Sequence, residues 1–477
     1  MKKQQKPSFI ISITPIIALL STLIGIILIK GADAAQSVSH FILLGAAIFT
    51  LILSFIFSPQ PLKDIVQGIK KSATQILPAV PILVFIATVA ATWMLSGVVP
   101  TLIAYGLNAI NPQIFLLVAC GACSIISVLS GSSWTTIATI GIALQGIGSV
   151  MGYSDGWIAG AIISGAYFGD KVSPLSDTTV LASSSCKVDL FTHIKYLMLT
   201  SMPAIILALI IYGIVGVFHD SNTTILSIDI LSSLQATFNI TPWVLLIPLI
   251  TGILIALRIK THITLAISSL LGLIGIFVFQ PQIINMLNYT TSWSDISIMC
   301  TDILFTDTAL PTGNELLDSL VGTGGIAGML PTIYLVLCAM IFGGTLIGTG
   351  MLGAITSTFT NKIHSLRQTV GATIGSGLFL NACTGDQYLS ILLGGNLFRN
   401  LYKKNGLEPR LLSRSLEDSI SVTSVLIPWN SCGVTQSTVL GVTTLTYLPF
   451  CIFNIASPLL SLLFAWTGWK IKKLKEQ

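Results

Sequence analysis

Long apolar segments recur along the chain, separated by short polar or basic stretches. Several are long enough for membrane-spanning helices, since about 20 apolar residues cross a hydrocarbon core of about 30 Å. They lack the alternating pattern of a transmembrane β-barrel, and backbone polar groups in lipid must then be satisfied within helices. The segments that we predict to span the membrane are 9–29, 39–57, 76–99, 195–217, 241–257, 262–280, 331–351 and 441–467.

Composition supports the same fold class. The 477 residues are 53% hydrophobic and 9% charged, whereas soluble domains carry about 25% charged residues. No charge-bearing soluble domain is left over, so we predict one all-α polytopic membrane protein with about 10–12 transmembrane helices. The net charge of +5 comes from basic residues at helix ends and does not indicate nucleic-acid binding.

Basic residues at the segment ends also predict the orientation, because Lys and Arg are retained on the cytoplasmic side of a membrane. The lysines in 1–6, the loop 63–71, the turn 258–260 and the tail 468–477 are therefore placed inside. The stretch 281–330 carries acids but no Lys or Arg, and we place it outside.

Two further apolar stretches, 113–148 and 368–398, each start and end on one side of the membrane and are predicted hairpins. The first opens from the outside and the second from the inside. They break within VLSGSSWTT and NACTGDQYLS. Glycine at each break permits a tight backbone turn.

The two breaks align with two prolines further along the chain. Gly131 precedes Pro174 by 43 positions, and Gly385 precedes Pro428 by the same 43. We therefore predict two inverted repeats, each with a hairpin and a broken helix. The predicted division is 1–75 for N-terminal helices and an inner loop, 76–217 for the first repeat, 218–330 for connecting helices and an outer segment, 331–467 for the second repeat, and 468–477 for a basic cytoplasmic tail.

The run GAYFGDKVSPLSDTT at 165–179 places acids, hydroxyls and a proline inside an apolar region. Pro174 removes a helical amide and pushes the preceding residue out of helix geometry, and Pro428 does the same in the other half. Broken helices at matching positions of inverted repeats are typical of the ion site of a secondary transporter, near the membrane midplane.

Charges at membrane depth cost at least about 2.5 kcal/mol each, so the few that occur are candidates for function. Each also has a structural interpretation. Asp170 and Lys171 can form a mutual ion pair, whereas Asp177 and Asp386 can cap helices. Glu417 and Asp418 can pair with basic residues near the inner surface, namely Arg410 and Arg414.

The functional interpretation is a cage of oxygen ligands, which hard cations prefer. A buried carboxylate binds either a proton or a cation, so the two compete for the same oxygens. We predict sodium at Asp177 and Asp386, with Asp170 beside them. Lys171, Glu417 and Asp418 are predicted to lie behind these ligands. The neutral oxygens come from Ser132, Thr135, Ser173, Ser176 and Asn430.

The motifs GSSWTT, GDKVSPLSDTT, TGDQYLS and IPWNSCG, in this order, resemble the NhaC family of sodium/proton antiporters. The resemblance covers most of 76–440. It implies secondary active exchange of sodium and protons by alternating access, across the cytoplasmic membrane of a prokaryote. It also implies two inverted repeats.

Other functions remain open at this point. The resemblance includes exchangers of organic acids, such as malate against lactate, and amino-acid transporters; an organic anion would need a basic anchor, for which Lys171 is the intramembrane candidate. A channel filter motif is lacking, and GSSW has no nearby histidine to activate a serine. We therefore predict a transporter and not an enzyme, with no cofactor beyond the transported ions. The predicted partner is the lipid bilayer, and a homodimer is expected by analogy alone.

Overall fold

The computed structural model describes residues 7–219, 224–287, 289, 293–310, 318, 321–360, 363, 365–471. The basic residues in 1–6 and 472–477, on which the predicted location of the termini partly depends, lie outside the described residues. Within the described part, all regular elements are helical, and the β-type pairing is limited to an isolated bridge between Thr308 and Thr323. The predicted all-α class is confirmed.

The first half of the chain forms helices whose lengths follow its apolar segments. Most of the short breaks contain Gly, Pro or Ser, which end helices or cap them, and Asp189 is the cap of the helix that begins at Leu190. The α-helices of this half are α1 (Phe9–Lys30), α2 (Ala32–Phe57), α3 (Leu62–Ala73), α4 (Ala79–Leu95), α5 (Val98–Ala109), α6 (Phe115–Ser130), α7 (Ser133–Thr136), α8 (Ile142–Val150), α9 (Asp155–Val172), α10 (Asp177–Ser185) and α11 (Leu190–Val217).

The second half follows the same principle after a connecting region. Two π-helical segments interrupt the chain, Ile137–Gly141 between α7 and α8 and Glu417–Ser421 in the second half. The remaining α-helices are α12 (Thr224–Thr237), α13 (Leu246–Ala256), α14 (Thr261–Phe279), α15 (Pro281–Met286), α16 (Trp293–Phe305), α17 (Gly325–Gly348), α18 (Met351–Thr360), α19 (Leu366–Thr384), α20 (Gln387–Lys404), α21 (Pro409–Leu416), α22 (Ser431–Leu440), α23 (Thr444–Tyr447) and α24 (Ile452–Thr467).

By length and composition, 7 helices in the described residues can each cross a membrane, or up to 9 if two bent helix pairs each count as one span. They include every segment predicted to span, with 230–256 and 444–467 as the bent pairs. One of the 7, 112–130, is the first arm of a predicted hairpin. The predicted number of 10–12 transmembrane helices also includes the polar broken helices, which are not among these long apolar helices.

Close helix contacts depend on small residues. Helix α9 packs on α6, and a Cβ added at Gly165 would lie 2.1 Å from the Cys120 carbonyl oxygen. One added at Gly169 would lie 2.5 Å from the Ser124 carbonyl oxygen. Glycines therefore allow two backbones to approach, as is common between membrane helices. This contact fixes the start of the broken helix α9–α10 against the hairpin arm α6.

Both predicted hairpins break at their glycines. Gly131 ends α6 with φ +65° and Gly385 ends α19 with φ +66°, which is the left-handed region that side chains disfavour. The unwound segments 173–176 and 427–430 contain Pro174 and Pro428, and the next helix begins immediately after each. The inverted orientation of the two halves, and the predicted domain division, stay predictions.

Candidate functional site

A cavity of about 770 Å³ reaches from the two hairpin breaks to the basic turn before α14. Its inner end contains acids from distant parts of the chain, and its other end contains Arg258, Lys260 and His262. A cavity that joins helix breaks to one surface is the form of a transport site open to one side. The polar residues at the inner end are Ser130, Ser132, Thr135, Asp170, Asp177, Asp386, Gln387, Tyr388 and Ser431.

At the first break, Ser132 caps α7. Its hydroxyl accepts from the Thr135 N–H at 3.2 Å and from the Thr135 hydroxyl at 3.0 Å. The next residue, Ser133, reaches across to α9 and donates to Asp170 Oδ2 from its N–H at 3.1 Å and its hydroxyl at 2.7 Å. Two donors thus hold the Asp170 carboxylate at the cavity, since hydrogen bonds to an ionised acceptor are the stronger kind.

At the second break, Asp386 caps α20. Its Oδ1 accepts from the Leu389 N–H at 2.9 Å, and its Oδ2 accepts from the Ser431 hydroxyl at 3.4 Å. The predicted capping role of Asp386 is therefore present, and the same side chain also lines the cavity. Because a helix N-terminus carries partial positive charge, it stabilises the ionised form of this buried acid.

Several hydrogen bonds around the first break have direct counterparts at the second. The Ser132 N–H donates to Ser130 Oγ as the Asp386 N–H donates to Thr384 Oγ1, both at 3.2 Å. The Thr136 and Ser390 hydroxyls likewise donate to the carbonyls of the two caps. Each pair of equivalent residues has the same separation in the chain as Gly131 and Gly385. The predicted alignment of the halves therefore extends to individual contacts.

The contact between hairpin and broken helix is also equivalent, but its chemistry differs. Where Ser133 donates to Asp170, the equivalent residues are Gln387 and Ser424, and the Ser424 hydroxyl donates to Gln387 Oε1 at 3.3 Å. Further along, the Ser127 hydroxyl donates to the Ala166 carbonyl at 2.5 Å. Its counterpart is the Asn381 amide, which donates to the Ile420 carbonyl at 2.8 Å.

Asp177 lies at the cavity without a hydrogen bond among the described residues, and it is exposed there. The predicted alternative, that Asp177 caps α10, is wrong. Ser176 is the cap, and its hydroxyl accepts from the Thr179 N–H at 3.4 Å. Because the Ser176 hydroxyl serves as the cap, the Asp177 carboxylate remains free to bind a ligand.

Three predicted ligands, Ser173, Ser176 and Asn430, are not among the residues that line the cavity. The Ser173 hydroxyl donates to the Val128 carbonyl at 2.8 Å, near the end of α6. The Asn430 amide donates to the Asn381 carbonyl at 3.2 Å, near the end of α19. Both side chains thus satisfy carbonyls that a helix end leaves unpaired. The unwound segments hold the hairpin breaks in place through them.

The predicted ion pair between Asp170 and Lys171 is not formed. Lys171 is buried and pairs with Asp418, and it also donates to the Ser457 hydroxyl at 2.7 Å. Adjacent residues of a helix point in different directions, so Asp170 faces the cavity and Lys171 faces the opposite side. Glu417 also departs from its predicted pairing with a basic residue, because neither carboxyl oxygen has a hydrogen-bond partner among the described residues.

Several residues at the site were not predicted. Ser133 and Ser431 could have been found from the alignment of the halves, since they neighbour predicted residues. Tyr388 lies close enough for Asp170, Asp177 and Asp386 all to act on it electrostatically. Its place in the TGDQYLS motif is the signal that could have identified it.

The three aspartates share a cavity without forming a closed acidic cage. In the described part of the chain, no group of three or more His, Cys, Asp or Glu side chains is arranged to hold one metal ion. A monovalent cation needs fewer charged ligands than a divalent one, and hydroxyl oxygens can complete its coordination. The groups available to a cation here are the three aspartates and the neighbouring hydroxyls.

Comparisons with known proteins agree with this chemistry. The chain is 37% identical over 392 residues to the Na(+)/H(+) antiporter NhaC of Alkalihalophilus pseudofirmus, covering 82% of each protein. It is 36% identical to the malate-2H(+)/Na(+)-lactate antiporter of Bacillus subtilis, covering 94% of this chain and 95% of that protein. It is 33% identical to the arginine/ornithine antiporter ArcD of Halobacterium salinarum, covering 98% and 94%.

The names of these relatives give different substrates. The sequence similarity therefore establishes the family of this chain more firmly than its transported substrate. The sequence model of the Na+/H+ antiporter family matches residues 165–469, which include the acids of both helix breaks. This match and the identities above establish that the chain belongs to the Na+/H+ antiporter family.

Proposed function

We propose that the chain exchanges sodium for protons across the membrane by alternating access. One observation carries the proposal: acids from both helix breaks line a single cavity that leads to a basic turn. By the positive-inside rule that turn faces the cytoplasm, so the described state is open inward. The relatives named as Na(+)/H(+) antiporters support the same function.

Sodium is bound at the inner end of the cavity by Asp386 and Asp177. Ser132, Thr135 and Ser431 supply neutral oxygens. Asp170 lies beside them and is held by the hydrogen bonds that Ser133 donates. Because ligand oxygens must be deprotonated to hold a cation, sodium and protons exclude one another. Exchange follows when the unloaded, unprotonated site cannot change sides. Apparent sodium affinity is then expected to fall as the pH falls.

Organic-acid exchange is the second candidate, and two observations favour it. The chain resembles the malate–lactate antiporter over nearly its whole length. The cavity of about 770 Å³ has room for a small organic acid, with Arg258 and Lys260 near its mouth. Against it, Lys171 is engaged by Asp418 and is turned away from the cavity. The acids at the inner end would repel an anion, so we favour the bare cation.

The proposed location is the cytoplasmic membrane of a prokaryote, with both termini inside. This follows from the basic residues at the inner loops. A homodimer is part of the proposal by analogy only.

The test measures proton flux in everted membrane vesicles with an imposed pH gradient. Sodium, potassium, malate and lactate are added separately and in combination, to vesicles that contain wild type or Asp177→Asn. We expect sodium alone to dissipate the gradient in wild type, with a much weaker response in Asp177→Asn. A gradient that collapses only when malate or lactate accompanies sodium would establish the second candidate instead.

A further inference from the structure

A group of ionisable side chains is fully buried behind the cavity, on the other side of α9. None of them is used by the sodium site proposed above. Charges at this depth are expensive unless they pair or carry out a function. The group, named here the rear cluster, consists of Lys171, His193, Arg414, Glu417 and Asp418.

Most of the rear cluster is paired. Asp418 Oδ1 contacts Lys171 and accepts from the Ser457 hydroxyl at 2.8 Å and the Thr200 hydroxyl at 3.1 Å. Arg414 Nε lies 3.9 Å from Asp418 Oδ2, and its guanidinium lies over the Tyr196 ring at 4.7 Å. His193 Nδ1 shares a hydrogen bond of 2.8 Å with the Ser413 hydroxyl. Asp418 is therefore the ionised acid of the cluster, placed between the two buried cations Lys171 and Arg414.

The Arg414 guanidinium has no hydrogen-bond partner among the described residues and is held by its ion pair and the Tyr196 ring. Glu417 has neither kind of contact. It is fully buried, and neither Oε1 nor Oε2 has a hydrogen-bond partner among the described residues. The Ser421 hydroxyl is near enough to act on it without reaching hydrogen-bonding geometry. An ionised carboxylate without such partners is strongly disfavoured away from water, whereas a protonated carboxyl is tolerated. Glu417 also begins a π-helical segment, a distortion that is frequent at functional sites.

The charged groups around Glu417 come from several elements. Helix α9 contributes Asp170 and Lys171. Asp418 and Arg414 are on the same stretch of chain as Glu417. Cys186, which follows α10, lies near both Glu417 and Arg399, which is on α20. Helices α19 and α24 also pack on this segment, and their nearest contacts, Gly377 and Ser457, are uncharged. Asp170 is thus the link between Glu417 and the cavity.

We propose that Glu417 is a second proton-binding site, separate from the carboxylates that bind sodium, and that it releases its proton when sodium binds. This inference rests on the proposed sodium/proton exchange. In the described state Glu417 carries the proton, because its carboxyl lacks the partners that an ionised group needs. The proton on Glu417 is an additional one, beyond those displaced directly from the sodium ligands.

The coupling is electrostatic. Asp170 precedes Lys171, which pairs with Asp418, the neighbour of Glu417, so with the cavity empty the negative charge of Asp170 acts against a further negative charge on Glu417. A sodium ion beside Asp170 cancels that charge, so the neighbouring cations Lys171 and Arg414 then favour the ionised form of Glu417. Sodium binding therefore releases protons in two ways. It displaces protons from its own ligands directly, and its positive charge lowers the proton affinity of Glu417. Each transport cycle consequently moves more protons than the sodium ligands alone would carry.

The experiment counts protons released per sodium ion bound by purified protein. Sodium chloride is added to protein in weakly buffered detergent solution with a pH-indicator dye, and bound ²²Na⁺ is measured in parallel, with potassium chloride as the blank. Glu417→Gln removes the carboxyl and keeps its shape, whereas Glu417→Asp keeps the carboxyl. Glu408→Gln is the matched control, since Glu408 pairs with Arg410 and is partly exposed.

We expect Glu417→Gln to bind sodium and to release about one proton fewer per sodium ion than wild type. Glu417→Asp and Glu408→Gln are expected to match wild type. Glu417→Gln is also expected to melt near the wild-type temperature, because a glutamine resembles a protonated glutamate. An unchanged proton count with intact sodium binding overturns the inference. So does a strong loss of stability in Glu417→Gln, which would mean that the site requires a charge.

The result also separates this inference from the proposed function. If wild type releases no protons on adding sodium, sodium/proton exchange itself fails, and the role of Glu417 fails with it. If wild type releases protons and Glu417→Gln releases the same number, sodium/proton exchange stands and the second proton site alone is rejected.

Discussion

The two helix breaks have the same hydrogen-bonded framework and opposite distributions of charge. At the first break, the tip carries Ser132 and the broken helix carries Asp170 and Asp177. At the second, the tip carries Asp386, and Ser424 and Ser431 occupy the positions equivalent to those acids. Backbone turns and caps set the framework, so it is insensitive to which polar side chain is present.

This difference has a consequence for ion binding. Each half alone has its cavity-lining acids on one side of the contact between tip and broken helix, and the cavity brings the acids of both halves together. Two equivalent sodium sites, one per half, are not expected from such a distribution. The predictions below test whether the halves contribute unequally to a common site.

The largest expected effect is that of Asp386→Asn. Asparagine retains the capping geometry but loses the charge, so we expect sodium-dependent proton flux in vesicles to fall by more than about 100-fold. Asp189→Asn is the matched control, because Asp189 also caps a helix, accepting from the Thr192 N–H at 2.9 Å at the protein surface. Equal losses in the two variants would show that the cap, and not the cavity charge, matters.

Asp170→Asn is expected to have the next largest effect. It removes the acid that the first half adds to the cavity, so the sodium concentration for half-maximal flux should rise by about 10- to 100-fold. Ser424→Asp places an acid at the equivalent position of the second half, and we do not expect it to restore the loss in Asp170→Asn. Restoration would indicate that the halves are interchangeable.

A smaller effect is expected for the serines of the equivalent contact. Ser133→Ala removes a hydrogen bond to a carboxylate, of about 1.5–3 kcal/mol, so sodium affinity should weaken about tenfold or more. Ser424→Ala removes a bond to an amide, of about 1 kcal/mol, and should weaken it by only severalfold. The comparison is made by ²²Na⁺ titration of purified variants, and a larger effect in Ser424→Ala would reverse the assignment.

The smallest effect on transport is expected at the first glycine turn, where the change is mainly in stability. Gly131→Ala imposes a left-handed conformation that costs about 1–2 kcal/mol. Its Cβ would also lie 2.6 Å from Leu175 Cβ. Gly441→Ala has the same backbone strain, at φ +66°, with nothing within 4 Å. The melting temperature should fall in both variants, and further in Gly131→Ala; the reverse order would exclude contact with Leu175 as a cause.

Sequence patterns predicted much of the framework because its causes are local. Apolar length gave the helices, and Gly131, Gly385, Pro174 and Pro428 lie at the breaks that their backbone chemistry requires. The alignment of the halves could also be read from spacing alone. It then identified equivalent contacts that the structure contains.

Partners distant in the chain could not be predicted. Lys171 and Asp418 are 247 positions apart, and their pairing depends on how α9 packs against the end of α21. Ser173 and Asn430 carry oxygens that could bind a cation, but their side chains donate hydrogen bonds to nearby backbone carbonyls instead. Which side of a helix faces the cavity is a tertiary property, and it decided the roles of Asp170 and Lys171.

The most direct test of a common site is equilibrium binding of ²²Na⁺ to purified wild type, Asp177→Asn and Asp386→Asn. The two acids come from different halves, so we predict that either substitution abolishes the same saturable sodium binding. If each variant instead retains about half of the wild-type sodium at saturation, the halves bind sodium independently and the common site is wrong.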